Sequence, residues 1–282
     1  GEGRRRLSGA PPAPMTEPLR FATVHAPASW RTVDFISDLH LNVGEPDTVH
    51  AWAQYMQRTR ADAVIMLGDI FEAWVGDDAA GPDSFEARCG EVLDTCRADL
   101  ALLRGNRDFL IGNEFLSRHG VRDLPQDPTV LARTDGQRLL LSHGDLLCVA
   151  DEAYQQYRKQ VRDPAWQQQV LALPLAQRRA MARQMREQSS ALQAELNPAQ
   201  HADADDALAR EWLEQAEATV LIHGHTHKPA DHALGRDASG RALTRVVLSD
   251  WHVDAAQYRA QVLRLDAGGN LTRLDPRRVD AA

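Results

Sequence analysis

The residues of this chain that can do chemistry fall in five short blocks. These are Asp38-Leu39-His40, Gly68-Asp69, Gly105-Asn106-Arg107-Asp108, Ser142-His143-Gly144-Asp145 and His223-Gly224-His225-Thr226-His227. Carboxylate oxygens, an amide oxygen and imidazole nitrogens make a mixed donor set that suits Mn, Fe, Zn or Co rather than Ca. The set Asp38, His40, Asp69, Asn106, His143, His225 and His227 exceeds what one tetrahedral metal takes. It fits two metals sharing one carboxylate, an arrangement that clamps a phosphoryl group, activates water and stabilises the leaving oxygen. A single DxH or HxH is commonplace, and a lone His is more often structural. The reading rests on the five blocks together.

What must position these blocks is visible just before each of them. Short apolar runs occur at Val33-Asp34-Phe35-Ile36, Ala63-Val64-Ile65-Met66-Leu67, Leu100-Ala101-Leu102-Leu103, Leu139-Leu140-Leu141 and Thr219-Val220-Leu221-Ile222, with a sixth at Arg245-Val246-Val247-Leu248. Bounded by polar residues or Gly, they predict buried strands. In open α/β sheets the ligand site lies at the carboxyl ends of the strands, where these blocks sit. Helical patterns over Asp47 to Arg60 and Ser84 to Ala98 separate the first three strands and predict an α/β layered domain. Tyr258 to Leu265 and Leu271 to Leu274 flank Ala267-Gly268-Gly269-Asn270, a hairpin signal. Between Asp151 and Ala218 the chain turns Gln-, Arg- and Ala-rich with few β-branched residues, which predicts several helices. Its length favours an insertion over ordinary crossover helices. The expected organisation is an N-terminal extension over 1–31, disordered at least to 14, then a core over 32–150 and 219–275. The helical insertion occupies 151–218 and a tail 276–282.

The chain has 282 residues, a net charge of -8 and a pI near 5.8. It lacks the basic footprint of a duplex DNA binder, so no nucleic-acid partner is expected. Cys89, Cys96 and Cys148 are odd in number and form no CxxC pair, which argues against a disulfide framework and fits a reducing compartment. No apolar run approaches the roughly 20 residues of a membrane span, and no secretory signal pattern is evident. Gly1 to Pro14 are rich in Arg, Gly and Pro ahead of an internal Met15. They read as a disordered extension, with a basic arm for anionic lipid as the other option.

Taken in order, the DxH, GD, GNRD, SHGD and GHTH blocks resemble the signature of the calcineurin-like metallophosphoesterases. The resemblance implies an α/β fold, a β-sandwich flanked by helices, here with a helical cap insertion. It also implies a ligand set, with Asp38, His40, Asp69 and His227 on one ion, Asp69, Asn106, His143 and His225 on the other, and Asp69 bridging. The longer blocks from Phe35 to Leu41, Gly68 to Asp78, Gly105 to Gly112, Ser142 to Cys148 and Ile222 to Pro229 are similar to one branch, the UDP-2,3-diacylglucosamine diphosphatases of lipid A synthesis. That likeness implies hydrolysis of a pyrophosphate by water attack on the α-phosphate, giving UMP and a diacylated glucosamine 1-phosphate. It implies two divalent ions, usually Mn2+, and a UDP-linked diacylated substrate met at the cytoplasmic face of the inner membrane by a peripheral protein, with no obligate protein partner. Asn106, Arg107, Asp151, Ser189, Gln193 and His225 are the implied substrate contacts. Asp151 has a second reading as a helix N-cap. The branch also carries a Lys after the Ser and Asn, and none stands in Glu187 to Asn197, so the site lacks that charge or uses Arg183 or Arg186. Val170 to Leu175 reads either as an apolar face for a membrane or as a packed helix end. Because one fold serves many substrates, a phosphodiesterase or phosphatase acting on another phosphoester stands as the competing activity. A non-catalytic scaffold predicts degraded ligands, and all seven are intact.

Overall fold

The computed structural model describes residues 21–124, 126–195 and 203–280. The first half of the chain alternates strand and helix. It runs β1 (Ala22–His25), β2 (Val33–Ile36), α1 (Pro46–Arg58), β3 (Ala63–Met66), α2 (Phe85–Thr95), β4 (Asp99–Leu103), α3 (Asn113–Arg118) and β5 (Val121–Leu124). The hairpin strands β6 (Thr129–Ala132) and β7 (Arg138–Leu141) follow. Four helices come next, α4 (Glu152–Val161), α5 (Pro164–Leu171), α6 (Leu175–Glu195) and α7 (Asp206–Gln215). The chain closes with β8 (Val220–His223), β9 (Ala230–Arg236), β10 (Ala242–Val247), β11 (His252–Val253), β12 (Tyr258–Arg259), β13 (Val262–Leu265) and β14 (Leu271–Leu274).

Two six-stranded sheets result, in the orders β14-β13-β2-β3-β4-β5 and β1-β6-β7-β8-β10-β9, with β11-β12 as a separate ribbon. In the first, β2, β3, β4 and β5 run parallel; in the second, β7, β8 and β10 do. Side chains alternate across a strand, and here both faces are apolar. Val33, Phe35, Ile65, Ala101 and Leu103 of the first sheet meet Leu139, Leu141, Ile222 and Val246 of the second. The outer face of the first sheet presents Ile36, Val64, Met66, Leu100 and Leu102 to Trp52, Tyr55 and Met56 of α1 and Phe115 of α3. The outer face of the second presents Val130, Leu140, Leu221 and Leu243 to Trp212 and Leu213 of α7. The result is a four-layer α/β/β/α sandwich. Its central strands are buried on both faces, which is why they read as unbroken apolar runs. Each fully buried Leu, Ile or Phe contributes roughly 1.5–3 kcal/mol.

Three boundaries differ from the sequence reading. The expected N-terminal extension over 1–31 includes β1, which pairs with β6 and so belongs to the core; residues 1–14 lie outside the described residues. The Tyr258 to Leu265 strand is two elements, because β12 pairs with β11 while β13 pairs with β2 and β14. Of the 276–282 tail, residues 276–280 pack back, with Val279 buried and its carbonyl accepting from Arg264 at 3.3 Å. Within 151–218, α7 covers a sheet face, while α4, α5 and α6 lie over the carboxyl ends of the strands, where Tyr154, Arg158 and Arg186 reach the loops that follow them. Among the described residues, no helix is long and apolar enough to cross a membrane. All three cysteines are free thiols.

Candidate active site

Each chemical block is the turn that ends a strand, and the turns are tied to one another by backbone hydrogen bonds. Asp38 follows β2 and donates its N–H to Gly68 O at 3.0 Å, and His40 N–H donates to Asp69 O at 3.0 Å. The Asp38 carboxylate in turn accepts the backbone N–H of His225, after β8, through both oxygens at 3.1 and 2.9 Å. Asp69 Oδ1 accepts the N–H of Arg107 at 2.8 Å. Asp38, His40, Asp69, His225 and His227 all have φ between 49° and 69°. That left-handed region is costly for residues with a side chain and persists only where the surroundings over-determine it, most often at functional sites. Gly105 and Gly224 are required by close approach: a Cβ on the first would strike Asp69 Oδ1, and one on the second Asp38 Oδ2.

The side chains converge in two groups. Donor atoms of Asp38, His40 and His227 all lie within 4.8 Å of one another, as do those of Asp69, His143 and His225. His40 Nε2 faces His227 Nε2 at 3.3 Å, and His227 Nε2 faces Asp38 Oδ1 at 3.3 Å. In the second group Asn106 Oδ1 lies 2.8 Å from His143 Nε2 and 3.0 Å from His225 Nδ1, and His143 Nε2 lies 3.7 Å from Asp69 Oδ1. The structure thus brings together all seven residues singled out from the sequence.

Groups behind the ligands aim them. His143 Nδ1 donates to Leu67 O at 2.9 Å, leaving Nε2 for the centre. His227 Nδ1 lies 3.7 Å from Asp250 Oδ2, too far for a direct hydrogen bond, whereas His40 Nδ1 meets Glu72 Oε2 at 3.0 Å. Such partners fix the ring orientation and raise the basicity of a metal-binding imidazole. Buried Asp108 ties two turns together, accepting Gly105 N–H and Ile70 N–H at 2.7 Å each. Sequence reasoning assigned nothing to Glu72, Asp108 or Asp250. The first two sit inside the recognised blocks, and that proximity was the available signal; Asp250 follows the sixth apolar run.

The electrostatics fit a pair of cations. Asp38 and Asp69 are buried, and among the described residues their ion-pair partners are histidines, not Arg or Lys. Burial opposes ionisation of Asp38, yet the hydrogen bond and charge of His227, with His143 and His40, hold its carboxyl far below the usual range. Burial likewise opposes protonation of His143, but Asp69, Asp145 and Asp38 raise it to about 9. His225, buried beside His143, is pushed down to about 4. Divalent ions among these nitrogens and oxygens would balance the buried carboxylates. The donor set therefore fits two divalent metals.

The other expected residues lie outside these two donor groups. The Arg107 Nε is buried with no hydrogen-bond partner. Asp151 accepts the N–H of Tyr154 at 2.9 Å and caps α4, its second reading. Ser189 and Gln193 fall on the last turns of α6, where side chains lie outside the described residues. Trp74 and Phe71 pack in the core against Phe115, with ring centroids 4.4 and 6.3 Å away. Asp77 caps α3 by accepting Gly112 N–H and Phe115 N–H at 2.8 and 2.9 Å.

A two-sheet sandwich whose strand ends supply two groups of Asp, His and Asn donors is the architecture of a metallophosphoesterase. Residues 31–229 match the family model for the calcineurin-like phosphoesterase. Curated proteins named UDP-2,3-diacylglucosamine hydrolase are similar over most of the chain. The one from Stenotrophomonas maltophilia is 42% identical over 252 residues and that from Chromobacterium violaceum 44% over 245, each match covering 84% of this chain and 96% of the relative. The chain belongs to the calcineurin-like phosphoesterases and, within them, to the UDP-2,3-diacylglucosamine hydrolase family. Among solved structures, Vps29 from Entamoeba histolytica complexed with Zn2+ covers 87% of this chain and 99% of its own at 12% identity, with a TM-score of 0.40.

Proposed function

We propose that this protein hydrolyses the pyrophosphate of UDP-2,3-diacylglucosamine by water attack on the α-phosphorus, giving UMP and 2,3-diacylglucosamine 1-phosphate in lipid A synthesis. The observation that carries the reading is the convergence of seven donors in two groups beside Arg107. The names of the relatives support the substrate. Asp38, His40, Asp69 and His227 would hold one divalent ion, and Asp69, Asn106, His143 and His225 the other, with Mn2+ as the proposed metal. Bound there, the pair supplies Lewis acidity and brings the pKa of water towards neutrality.

The chain's own groups do the rest. Arg107 offers a planar guanidinium to paired phosphate oxygens. Its backbone N–H, held by Asp69, fixes where that side chain starts. Asn106 and His225 face the phosphate as well as the ions. Tyr154 of α4 stacks near His225, ring centroids 5.5 Å apart, and donates to Asp145 at 3.0 Å, so the cap begins as a wall of the site. Asp151, Ser189 and Gln193 are proposed to contact the substrate from α4 and α6, the 151–218 segment acting as a cap over the acylated sugar. Leu171, exposed at the end of α5, supports a peripheral contact with the cytoplasmic face of the inner membrane. No nucleic acid or obligate protein partner enters this reading.

The experiment is release of UMP from UDP-2,3-diacylglucosamine by purified protein, stripped with chelator and then given Mn2+. Metal-dependent release is the expected result. Cleavage of a nitrophenyl phosphodiester without release from the lipid substrate would keep the metal centre and sink the substrate.

A further inference from the structure

Helix α6 is fastened to the loop that follows β3, and the fastening ends at a metal ligand. Its Met181 and Met185 pack on the core. Arg178 bonds Asp78 Oδ1 at 2.8 Å and the carbonyl of Val75, and Arg179 lies 3.7 Å from Glu86. About two turns on, Arg186 Nε lies 2.6 Å from Glu72 Oε1. The other oxygen of that carboxylate, Oε2, lies 3.0 Å from His40 Nδ1. Glu72 is therefore divided between the helix and the imidazole whose Nε2 faces the centre. It stands three residues beyond Asp69, so one loop carries a candidate ligand at its start and the receptor for α6 just after it.

We propose that Glu72 and Arg186 are positioning residues, through which the docked helix α6 sets the orientation of His40 and the affinity of the ion it helps to hold. The proposal rests on the metal-centre reading of the site. Glu72 side-chain exposure is 12% and that of His40 17%, so the carboxylate has few other partners and its orientation matters. A carboxylate behind an imidazole fixes which nitrogen is offered and raises its basicity. Arg186 holds that carboxylate in the rotamer that serves His40. Without it, Oε1 loses its cation and Glu72 is free to turn away. Arg186 itself is half exposed, so its removal does not threaten the core. Linkage is reciprocal: whatever docking of α6 adds to metal affinity, metal at His40 adds to docking of α6.

The test is calorimetric titration of metal-free protein with Mn2+, in the absence of substrate, so that it stands whatever the enzyme cleaves. Glu72→Gln is expected to weaken one of the two binding steps by about 10–100-fold. Arg186→Ala is expected to weaken the same step by about three- to fivefold, as for a half-exposed ion pair. Arg186→Lys, which keeps the charge, restores it. The double variant binds no more weakly than Glu72→Gln alone, because both act through one carboxylate. In turnover, excess Mn2+ returns Arg186→Ala to wild-type rate with KM unchanged. Losses that multiply in the double variant, or a raised KM with unaltered Mn2+ affinity in Arg186→Ala, would overturn the proposal. A wild-type protein that binds no Mn2+ would overturn the metal centre first and this coupling with it.

Discussion

Asp38 and His225, which end strands of different sheets, are joined by two hydrogen bonds from one backbone N–H to both oxygens of one carboxylate, at 3.1 and 2.9 Å. A candidate metal ligand thus also pins the sandwich shut at its functional edge. Folding the two sheets together and assembling the donors are the same event.

Metal removal is the broadest check. Chelator treatment is expected to abolish hydrolysis, and Mn2+ to restore it. Added Mn2+ also raises the unfolding midpoint, since a ligand at 100 times its Kd adds about 2.7 kcal/mol to the native state. An unchanged midpoint and an unchanged rate after chelation would contradict a metal centre.

Asp69 is the carboxylate expected to bridge. Asp69→Ala should bring metal content, read by elemental analysis, from two ions per chain to one or none, with activity at background. Retention of two ions would move the bridge elsewhere.

Arg107 has a buried Nε with no hydrogen-bond partner, so it contributes little to folding. Arg107→Ala is expected to leave the unfolding midpoint in place and to lower kcat/KM by about 10²–10³, the scale for losing one donor to a developing negative charge. A fall in stability with intact turnover would assign it a structural ion pair instead.

Asp108 binds no ligand in this reading but accepts the N–H groups of Gly105 and Ile70. Asp108→Ala leaves two buried donors unsatisfied, at about 1–3 kcal/mol each. It should lower both stability and metal affinity, because Gly105 and Ile70 adjoin Asn106 and Asp69. Stability lost at wild-type metal affinity would separate the two roles.

Asp34 offers the opposite control. It is buried on the outer face of β2, where Arg264 donates to it at 2.7 and 3.0 Å, Tyr55 at 3.0 Å and Thr59 at 2.9 Å. Asp34→Ala strands a buried guanidinium and is expected to cost about 3–5 kcal/mol in denaturant unfolding. Folded protein should still bind Mn2+ with wild-type affinity. Weakened Mn2+ binding by the folded fraction would mean that Asp34 reaches the centre.

The sequence made the centre legible because each ligand follows an apolar run long enough to read as a buried strand. The strands it concealed are polar or too short to stand out. β1 (Ala22–His25) and β9 (Ala230–Arg236) lie at the two edges of one sheet, half exposed, where no apolar run is needed. β5 and β6 are four-residue strands with Arg122, Asp123 or Thr129 among them. The partners behind the ligands were hidden for another reason. Glu72 and Arg186 are more than a hundred positions apart, and nothing local to either says that they meet. Asp151 carried two readings because a cap and a substrate contact ask for the same side chain at the same place.

The left-handed backbone at Asp38, His40, Asp69, His225 and His227 has a practical consequence for anyone exchanging metals in this protein. Asp38, His40 and Asp69 are tied by main-chain bonds between neighbouring turns, and His225 by its N–H to the Asp38 carboxylate. Ions should then come and go by simple dialysis, with no refolding step, and a foreign ion will meet a fixed spacing of donors that it must accept or refuse.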